Sequence, residues 1–323
     1  MNSPEKSVFN PLLDLRIAVI VPCRNEAASI SKVVEDFRSA LPGATVYVYD
    51  NNSDDETAKL ARDAGAVVRS ELLAGKGNVV RRMFADVEAD IYVLVDGDDT
   101  YDAASAGILI ERLEAECLDM VNAVRVASGA AAYRPGHRFG NFMLTGIVAL
   151  IFGNRFTDLL SGYRIFSRRF VKSFPALTSG FEIETELTVH ALELRMPIAE
   201  IETPYRERPS GSVSNLRTIQ DGWRILRTIL LLTKEERPLH FFGLFFAILA
   251  ALSVILSWPV FITFLETGLV PRFPTAILST GLMLLAFLSL GCGIVLDTVT
   301  RGRQEMKRMH YLGIARDRRG ADD

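Results

Sequence analysis

The chain has 323 residues, of which 49% are hydrophobic and 23% charged, with 36 Lys+Arg against 39 Asp+Glu and a formal net charge of -3. This composition excludes a disordered or collagen-like chain, and the lack of a basic excess argues against a nucleic-acid binder. A mean hydropathy of +0.20 is high for a wholly soluble protein and points to lipid contact, while the length allows two domains, or one large domain with an appendage.

Residues 1–15 form an N-terminal extension without the apolar core of a signal peptide. Arg16–Val21 then reads as an apolar strand running into Pro22, and Ala27–Ala40 has helical spacing. Thr45–Tyr49 is a β-branched and aromatic strand ending at Asp50, followed by a helix over Asp54–Ala64 with an acidic first turn that suits its dipole. Ala66–Arg69 is a short strand, Asn78–Val87 a helix, and Ile91–Val95 a buried strand ending at Asp96. Strand and helix alternate, which predicts an α/β fold with a mostly parallel sheet. Ligands of such sheets bind beyond the carboxyl ends of the strands. Those ends carry Pro22, Arg24 and Glu26, then Asp50, Asn51 and Asn52, then Asp96, Asp98 and Asp99.

Asp96 and Asp98 make a D-x-D after a buried strand, a set of hard oxygens suited to Mg²⁺ or Mn²⁺ bridging to phosphate. Leu73–Asn78 (LAGKGN) is glycine-rich and carries Lys76 but lacks P-loop spacing, and no strand is followed by G-x-G-x-x-G. Ser29, Cys23 and the four histidines form no nucleophilic triad, and Cys23 reads as a small residue beside a ligand.

Further on, Phe142–Phe152 is apolar but too short to span a bilayer; an interfacial helix and an ordinary surface helix are equally expected. The basic amphipathic Leu216–Leu232, within a segment 216–238, suits a membrane interface. Phe241–Leu265 and Thr275–Leu296 are 25 and 22 residues without a charge, each long enough to cross a bilayer as helix. Joined by Glu266–Pro274, they predict a transmembrane hairpin over 239–297, followed by a basic tail over 298–323. The flanks Tyr205–Arg237 and Arg301–Asp323 each hold seven Lys/Arg against four Asp/Glu, whereas the only Lys/Arg of the connecting loop is Arg272, against Glu266. The positive-inside rule then places the N-terminal region and both termini in the cytoplasm. Three widely spaced cysteines, Cys23, Cys117 and Cys292, agree with a reducing compartment.

The series VPCRNE (Val21–Glu26), YDNNSDDET (Tyr49–Thr57), GKGN (Gly75–Asn78), VDGDD (Val95–Asp99), DLLSGYR (Asp158–Arg164), FEIETEL (Phe181–Leu187) and RPSGSVSNL (Arg208–Leu216) resembles glycosyltransferase family 2. Within it, the later motifs and two C-terminal spans resemble the dolichol- and polyprenyl-phosphate sugar transferases, over about residues 16–235. The resemblance implies a GT-A domain over 16–215 that takes a UDP- or GDP-linked sugar and Mg²⁺ or Mn²⁺. It implies a donor side made of Pro22, Arg24, Glu26, Asp50, Asn52, Lys76, Asp96 and Gly97, with the metal on Asp96 and Asp98. It places Arg125 at the end of the next strand, matches His137 and Arg138 more loosely to an interfacial helix, and matches Ser161–Arg164 to the S-G-(F/Y)-R segment. The late loop, with Arg208, Ser212 and Ser214, matches the phosphate-binding loop. Cys23 and Arg24, Thr100 and Asn215 depart from the family pattern, Asn215 replacing a lysine, and Ser210 adds a residue to that loop. Relatives form oligomers, which extends the expectation to a homo-oligomer.

A lipid phosphate monoester, with a second pKa of ~6, is already anionic near neutral pH and needs no general base. The expected reaction is therefore inverting transfer to a polyprenyl phosphate, with Asp98, Arg125, Arg138 and Arg164 as the catalytic set and the arginines as candidates for the acceptor phosphate. For Arg164 and Glu182 a surface ion pair is the plainer expectation. Glu184 and Glu186 are set to reach sugar hydroxyls or the metal shell, and their spacing on a helix turns at most one of them inward. Two rival readings remain at this stage. One is a lipid-alcohol or saccharide acceptor served by Asp158 or Glu184 as base. The other is a non-catalytic nucleotide-sugar-binding membrane module.

Overall fold

The computed structural model describes residues 15–127, 137–153, 156–180, 182–208 and 218–315. The chain divides into two compact units, one of Met1–Leu226 with Met309–Asp323 and one of Arg227–Arg308.

In the first unit β1 (Ile17–Cys23), α1 (Ile30–Ala40), β2 (Thr45–Asp50), α2 (Thr57–Asp63), β3 (Val67–Ser70), α3 (Lys76–Asp86) and β4 (Ile91–Leu94) follow the predicted order. They lead into α4 (Ala106–Ala115), β5 (Met120–Ala127), α5 (His137–Phe152), β6 (Arg164–Ser167), α6 (Arg168–Ser173), α7 (Ile183–Glu193) and β7 (Ile198–Tyr205). The seven strands lie in the order β3-β2-β1-β4-β6-β5-β7. All pair in parallel except β6, which runs antiparallel between β4 and β5. The doubly buried strands β1 and β4 read as continuous apolar runs because helices cover both faces of the sheet. One core cluster packs Val19, Val21, Val93 and Val121 with Ile30, Val34 and Phe37 of α1 and Leu109 and Leu113 of α4. A second, aromatic cluster joins Phe84, Tyr92, Phe166, Phe170 and Phe174 edge-to-face and stacked.

Three details differ from expectation. The acidic run Asp54–Glu56 precedes α2 rather than opening it. Asp55 instead accepts the backbone N–H of Thr57 at 3.0 Å and of Ala27 at 3.2 Å, tying the β2–α2 loop to the approach to α1. The antiparallel β6 has no period-2 signature, being only four residues long and buried throughout. The first part of the basic tail, residues 298–313, continues helix α10 (Phe273–Gly313). The tail's Tyr311 belongs to the first unit, where its hydroxyl donates to Asp119 and its ring lies 4.4 Å from the Arg169 guanidinium.

Helix α8 (Thr218–Glu236) runs into the second unit, which holds α9 (Pro238–Thr267) and most of α10. Both α9 and α10 are long and apolar enough to cross a membrane. They extend beyond the uncharged runs read from sequence, leaving a shorter turn that Gly268 opens in the left-handed conformation at φ +71°. Close backbone approach pairs the two helices. Ser253 Oγ donates to Ser279 O at 2.7 Å, Ser289 Oγ donates to Phe242 O at 3.1 Å, and a Cβ at Gly293 would lie 3.0 Å from Phe242 Cβ. Small residues serve in this way where lipid removes the hydrophobic drive for helix association. Leu252, Ile255, Trp258 and Phe261 face outward.

Candidate active site

The carboxyl ends of β2, β1 and β4 lie side by side, so Asp50, Glu26 and the Asp96–Asp98 turn gather at one edge of the sheet. Asp50 is buried; its Oδ2 accepts the Ser53 N–H at 3.3 Å, while its Oδ1 is buried with no hydrogen-bond partner. A buried acceptor left in that state costs free energy that a ligand N–H or O–H can recover. Asn25 and Asn52 adopt left-handed backbone conformations, at φ 56° and 58°, in the turns flanking Asp50. Asn52 Nδ2 donates to Leu72 O at 2.9 Å, and Asn51 Nδ2 donates to Glu71 O and Leu73 O, both at 2.8 Å, so these asparagines brace the β3–α3 loop. Pro22 is half-buried at the end of β1 and Arg24 is exposed.

Two glycines shape the D-x-D turn. A Cβ at Gly97 would lie 2.5 Å from Cys23 Sγ, and Gly97 O accepts the Ser29 hydroxyl at 2.7 Å. Cys23 is therefore a buried packing residue. Burial pushes its thiol well up, and Glu26, Asp50, Asp96 and Asp98 push it further, the opposite of a nucleophile's environment. A Cβ at Gly162 would lie 2.3 Å from Asp96 Oδ2, so the S-G-Y-R segment presses against the first aspartate.

Lys76 is buried between Asp96 and Glu184, its ammonium 2.5 Å from an oxygen of each. Burial alone would lower its pKa; Asp96 and Glu184 overcome this and hold it well above the usual lysine range. Its neighbours Gly75 and Gly77 are required by the loop over them, since a Cβ at either would meet Ser179 O or Thr178 O within 2.3 Å. Glu186 holds that same loop, accepting the N–H groups of Leu177 at 2.7 Å and Thr178 at 2.9 Å. Both glutamates of α7 are buried, but they turn to different neighbours, Glu184 to Lys76 and Glu186 to the 177–178 backbone, so only one of the pair faces the Asp96 cluster. Glu184 Oε2 has no hydrogen-bond partner.

Asp98 has a side chain only 4% exposed. Its Oδ1 accepts the Thr100 hydroxyl at 2.6 Å and N–H at 3.2 Å, and its Oδ2 lies 2.5 Å from Arg208 Nη2. Thr100, a departure from the family pattern, therefore orients the second aspartate. Burial and the nearby Asp96 raise the Asp98 pKa while Arg208 opposes them. Arg208 Nη1 also approaches Glu26 Oε1 at 3.7 Å, which sets this late-loop arginine between the ends of β1 and β4.

Arg125, at the end of β5, is fixed: Nε and Nη2 each lie 2.7 Å from the Asp158 carboxylate, and the guanidinium sits 5.6 Å from the centre of the Tyr205 ring. Tyr205 in turn packs on Tyr101, whose hydroxyl accepts the Gly162 N–H at 2.8 Å. Tyr101 and Tyr205 form this part of the wall without any motif that marks them.

Two expected residues do not face the site. Arg164 is 0% exposed and donates to Ser161 O, Leu159 O and Thr188 Oγ1 at 3.0, 2.7 and 2.8 Å. It is neither a surface ion pair nor turned to an acceptor phosphate; it spends its N–H groups on holding the 159–161 turn. Ser161, fully buried, donates to Ala123 O at 2.6 Å and serves the same turn. The side chain of Arg138, and Ser212, Ser214 and Asn215, lie outside the described residues.

Asp96 and Asp98 suit a divalent ion by chemistry, and the Arg208 guanidinium on Asp98 marks a position that already holds positive charge. Among the described residues no three His, Cys, Asp or Glu side chains converge on one point. Asp96 and Asp98 would hold such an ion, with other oxygen ligands left to substrate and water.

A family model described as glycosyl transferase family 2 matches residues 18–174, spanning the strand ends that carry Asp50, Asp96 and Asp98. Glycosyltransferase AglJ of Haloferax volcanii is 36% identical over 233 residues, 70% of this chain and 75% of its own length. This chain belongs to glycosyltransferase family 2. A second Haloferax volcanii relative of this transferase, a dolichyl-phosphate hexose transferase, is 26% identical over 221 residues, 68% of this chain and 95% of its own. The transferase also shares its fold with glucosyl-3-phosphoglycerate synthase from Mycobacterium tuberculosis, solved with Mn²⁺, UDP and glucosyl-3-phosphoglycerate. The TM-score is 0.58 at 22% identity, over 72% of this chain and 85% of that one. The seven-stranded sheet is thus of the GT-A type, and the chain is a glycosyltransferase.

Proposed function

We propose that this transferase moves a hexose, with inversion, from a UDP- or GDP-linked donor to a polyprenyl phosphate at the cytoplasmic face of a membrane. The observation that carries this reading is the state of the two carboxylates suited to act as base. Asp158 is locked to Arg125 by paired hydrogen bonds of 2.7 Å, and Glu184 is buried under Lys76. A hydroxyl acceptor needs a base to take its proton. A phosphate monoester does not, and it needs instead a fixed cation, which Arg125 supplies at the carboxyl end of β5.

The donor half follows from the same edge of the sheet. Asp50 Oδ1 accepts from the nucleoside, with Pro22, Arg24, Glu26 and Asn52 around it. Asp96 and Asp98 hold Mg²⁺ or Mn²⁺ against the diphosphate. When bound, the ion neutralises the charge that develops as the nucleoside diphosphate departs. Lys76 keeps Asp96 in place, Gly97 lets the turn close over Cys23, and Glu184 Oε2 is directed to a sugar hydroxyl. Arg125 and the basic Arg138 orient the lipid phosphate for in-line attack on the anomeric carbon.

The prenyl chain stays in the bilayer that α9 and α10 cross, with the catalytic unit and both termini on the positive, cytoplasmic side. Helix α5 buries Leu144 and Val148 and leaves Leu150 87% exposed, the division an interfacial helix requires. The dolichyl-phosphate hexose transferase relative supports the lipid acceptor, and the Mn²⁺ and UDP of the structural neighbour support the donor and the ion.

The test is product analysis by mass spectrometry on the full chain in nanodiscs, with Mg²⁺ or Mn²⁺, a panel of nucleotide sugars and polyprenyl phosphate. The expected product is a prenyl-phosphate hexose, absent with Asp98→Ala and absent after chelation. Nucleotide binding without any metal-dependent transfer would favour a binding module and refute this assignment.

A further inference from the structure

Both oxygens of Asp98 are taken. Thr100 occupies Oδ1 through its hydroxyl and N–H, and Arg208 occupies Oδ2 at 2.5 Å. With its side chain 4% exposed, Asp98 offers no open face to a hydrated ion while the guanidinium is in place. The second arm of Arg208 lies 3.7 Å from Glu26, so one planar cation spans two carboxylates from different strand ends. The backbone nearby is anchored independently of this contact. Arg206 N–H donates to Thr100 O at 2.8 Å, the Arg206 side chain pairs with Asp102 at 2.7 Å, and Tyr205 bridges to Tyr101. Only the rotatable Arg208 side chain must move for the Asp98 oxygen to change partner.

From this arrangement we infer that Arg208 is the resting counter-ion of the metal site. A divalent cation gains Asp98 by displacing the Arg208 guanidinium, and the displaced guanidinium becomes available to a phosphate oxygen. The inference rests on the reading of Asp98 as a metal ligand. With Oδ1 held by Thr100 and the side chain nearly buried, the guanidinium at 2.5 Å fills the approach to Oδ2, so metal and arginine compete for it. Competition lowers the apparent affinity of the ion in proportion to the fraction of sites that the arginine closes. It also means that an anion drawing Arg208 away helps the ion to bind, so nucleoside diphosphate and metal bind cooperatively. Between turnovers the site keeps its carboxylates paired rather than leaving buried negative charge without a partner.

The test is Mn²⁺ binding, read by electron paramagnetic resonance on the purified full chain in detergent without nucleotide. Arg208→Gln is expected to tighten Mn²⁺ binding by about tenfold, within the usual range of such couplings. Arg206→Gln removes the same charge two residues away but leaves Asp98 covered, and its Kd is expected to stay within about twofold of wild type, the ordinary reach of a screened surface charge. Arg208→Lys, the milder change, keeps a cation on Asp98 and is expected to fall between the wild type and the glutamine variant; it carries the comparison if Arg208→Gln loses its thermal transition. Asp98→Asn is expected to abolish binding in every background. Equal Mn²⁺ affinity in wild type, Arg208→Gln and Arg208→Lys, or equal tightening by Arg206→Gln, would overturn the inference while leaving the metal site standing. No Mn²⁺ binding in any variant, even with UDP present, would overturn the metal reading and the inference with it.

Discussion

Gly162 lies so close to Asp96 that a Cβ there would fall 2.3 Å from the carboxylate Oδ2. The two residues come from different parts of the chain, one from the turn before β6 and one from the end of β4, and β6 pairs with β4. The antiparallel insertion of β6 therefore sets the position of the first aspartate from behind. Gly162→Ala is expected to cut turnover by at least about a hundredfold, since a displacement of about 1 Å at a reacting centre costs that much. Steady-state kinetics check this, with thermal unfolding run alongside to separate loss of position from loss of fold.

Lys76 is the buried cation between Asp96 and Glu184. Lys76→Met leaves two carboxylates close together without a counter-charge and is expected to destabilise the first unit by about 3–5 kcal/mol, as breaking a buried pair does. The pH dependence has a definite sign. The folded pKa of Lys76 is raised, so its contribution is complete below the unfolded lysine value of about 10.4 and is lost as pH rises beyond it. Denaturant titrations of wild type and variant are expected to differ most below that pH and to converge above it.

Cys23 sits against Gly97 with its thiol pushed up by burial and by four surrounding carboxylates. In a Cys292→Ser background, which removes the exposed thiol of α10, a maleimide at pH 7 is expected to modify the partly exposed Cys117 and spare Cys23 in the native protein, and to modify both after denaturation. Peptide mapping of the labelled protein reads the outcome, and activity is expected to survive the native treatment. Rapid labelling of Cys23 with loss of activity would restore it as a reactive group.

Asp119 is fully buried and is held by Arg169 at 2.8 and 3.1 Å, by the Ser167 hydroxyl at 2.7 Å and by the hydroxyl of Tyr311. Tyr311→Phe removes one donor from a buried carboxylate and is expected to cost about 1–3 kcal/mol of stability. Donor affinity is expected to be unchanged, because Asp119 stands at the start of β5 and Arg125 near its other end. Thermal unfolding and nucleotide-binding titrations on the same sample separate the two effects.

What was legible in the sequence follows from the physics of each element. The strands β1, β2 and β4 were plain because buried parallel strands must be apolar runs and their polar ends stand out: Glu26, Asp50, Asp96 and Asp98. The hairpin was plain because uncharged runs of that length have few other uses. Strand β6 was hidden because it begins with a charged residue, and a charged side chain suggests surface. Arg164 is instead one of the largest fully buried side chains, satisfied by carbonyls that no local pattern reveals. The Arg208–Asp98 and Lys76–Glu184 pairs join positions about a hundred residues apart, and only tertiary structure could match them. The glycines of GKGN and SGYR were visible as motif letters, but their reason is the Thr178 and Ser179 carbonyls and the Asp96 carboxylate pressing on them.

The most direct test of the central claim exchanges the acceptor alone. Wild-type enzyme, with one productive nucleotide sugar and saturating Mn²⁺, is given either a polyprenyl phosphate or the polyprenol of the same chain length, and glycolipid formation is followed by mass spectrometry. Fixed carboxylates at Asp158 and Glu184 predict product from the phosphate and none from the alcohol. Equal or faster transfer to the alcohol would mean that one of those carboxylates acts as a base, and would contradict the account.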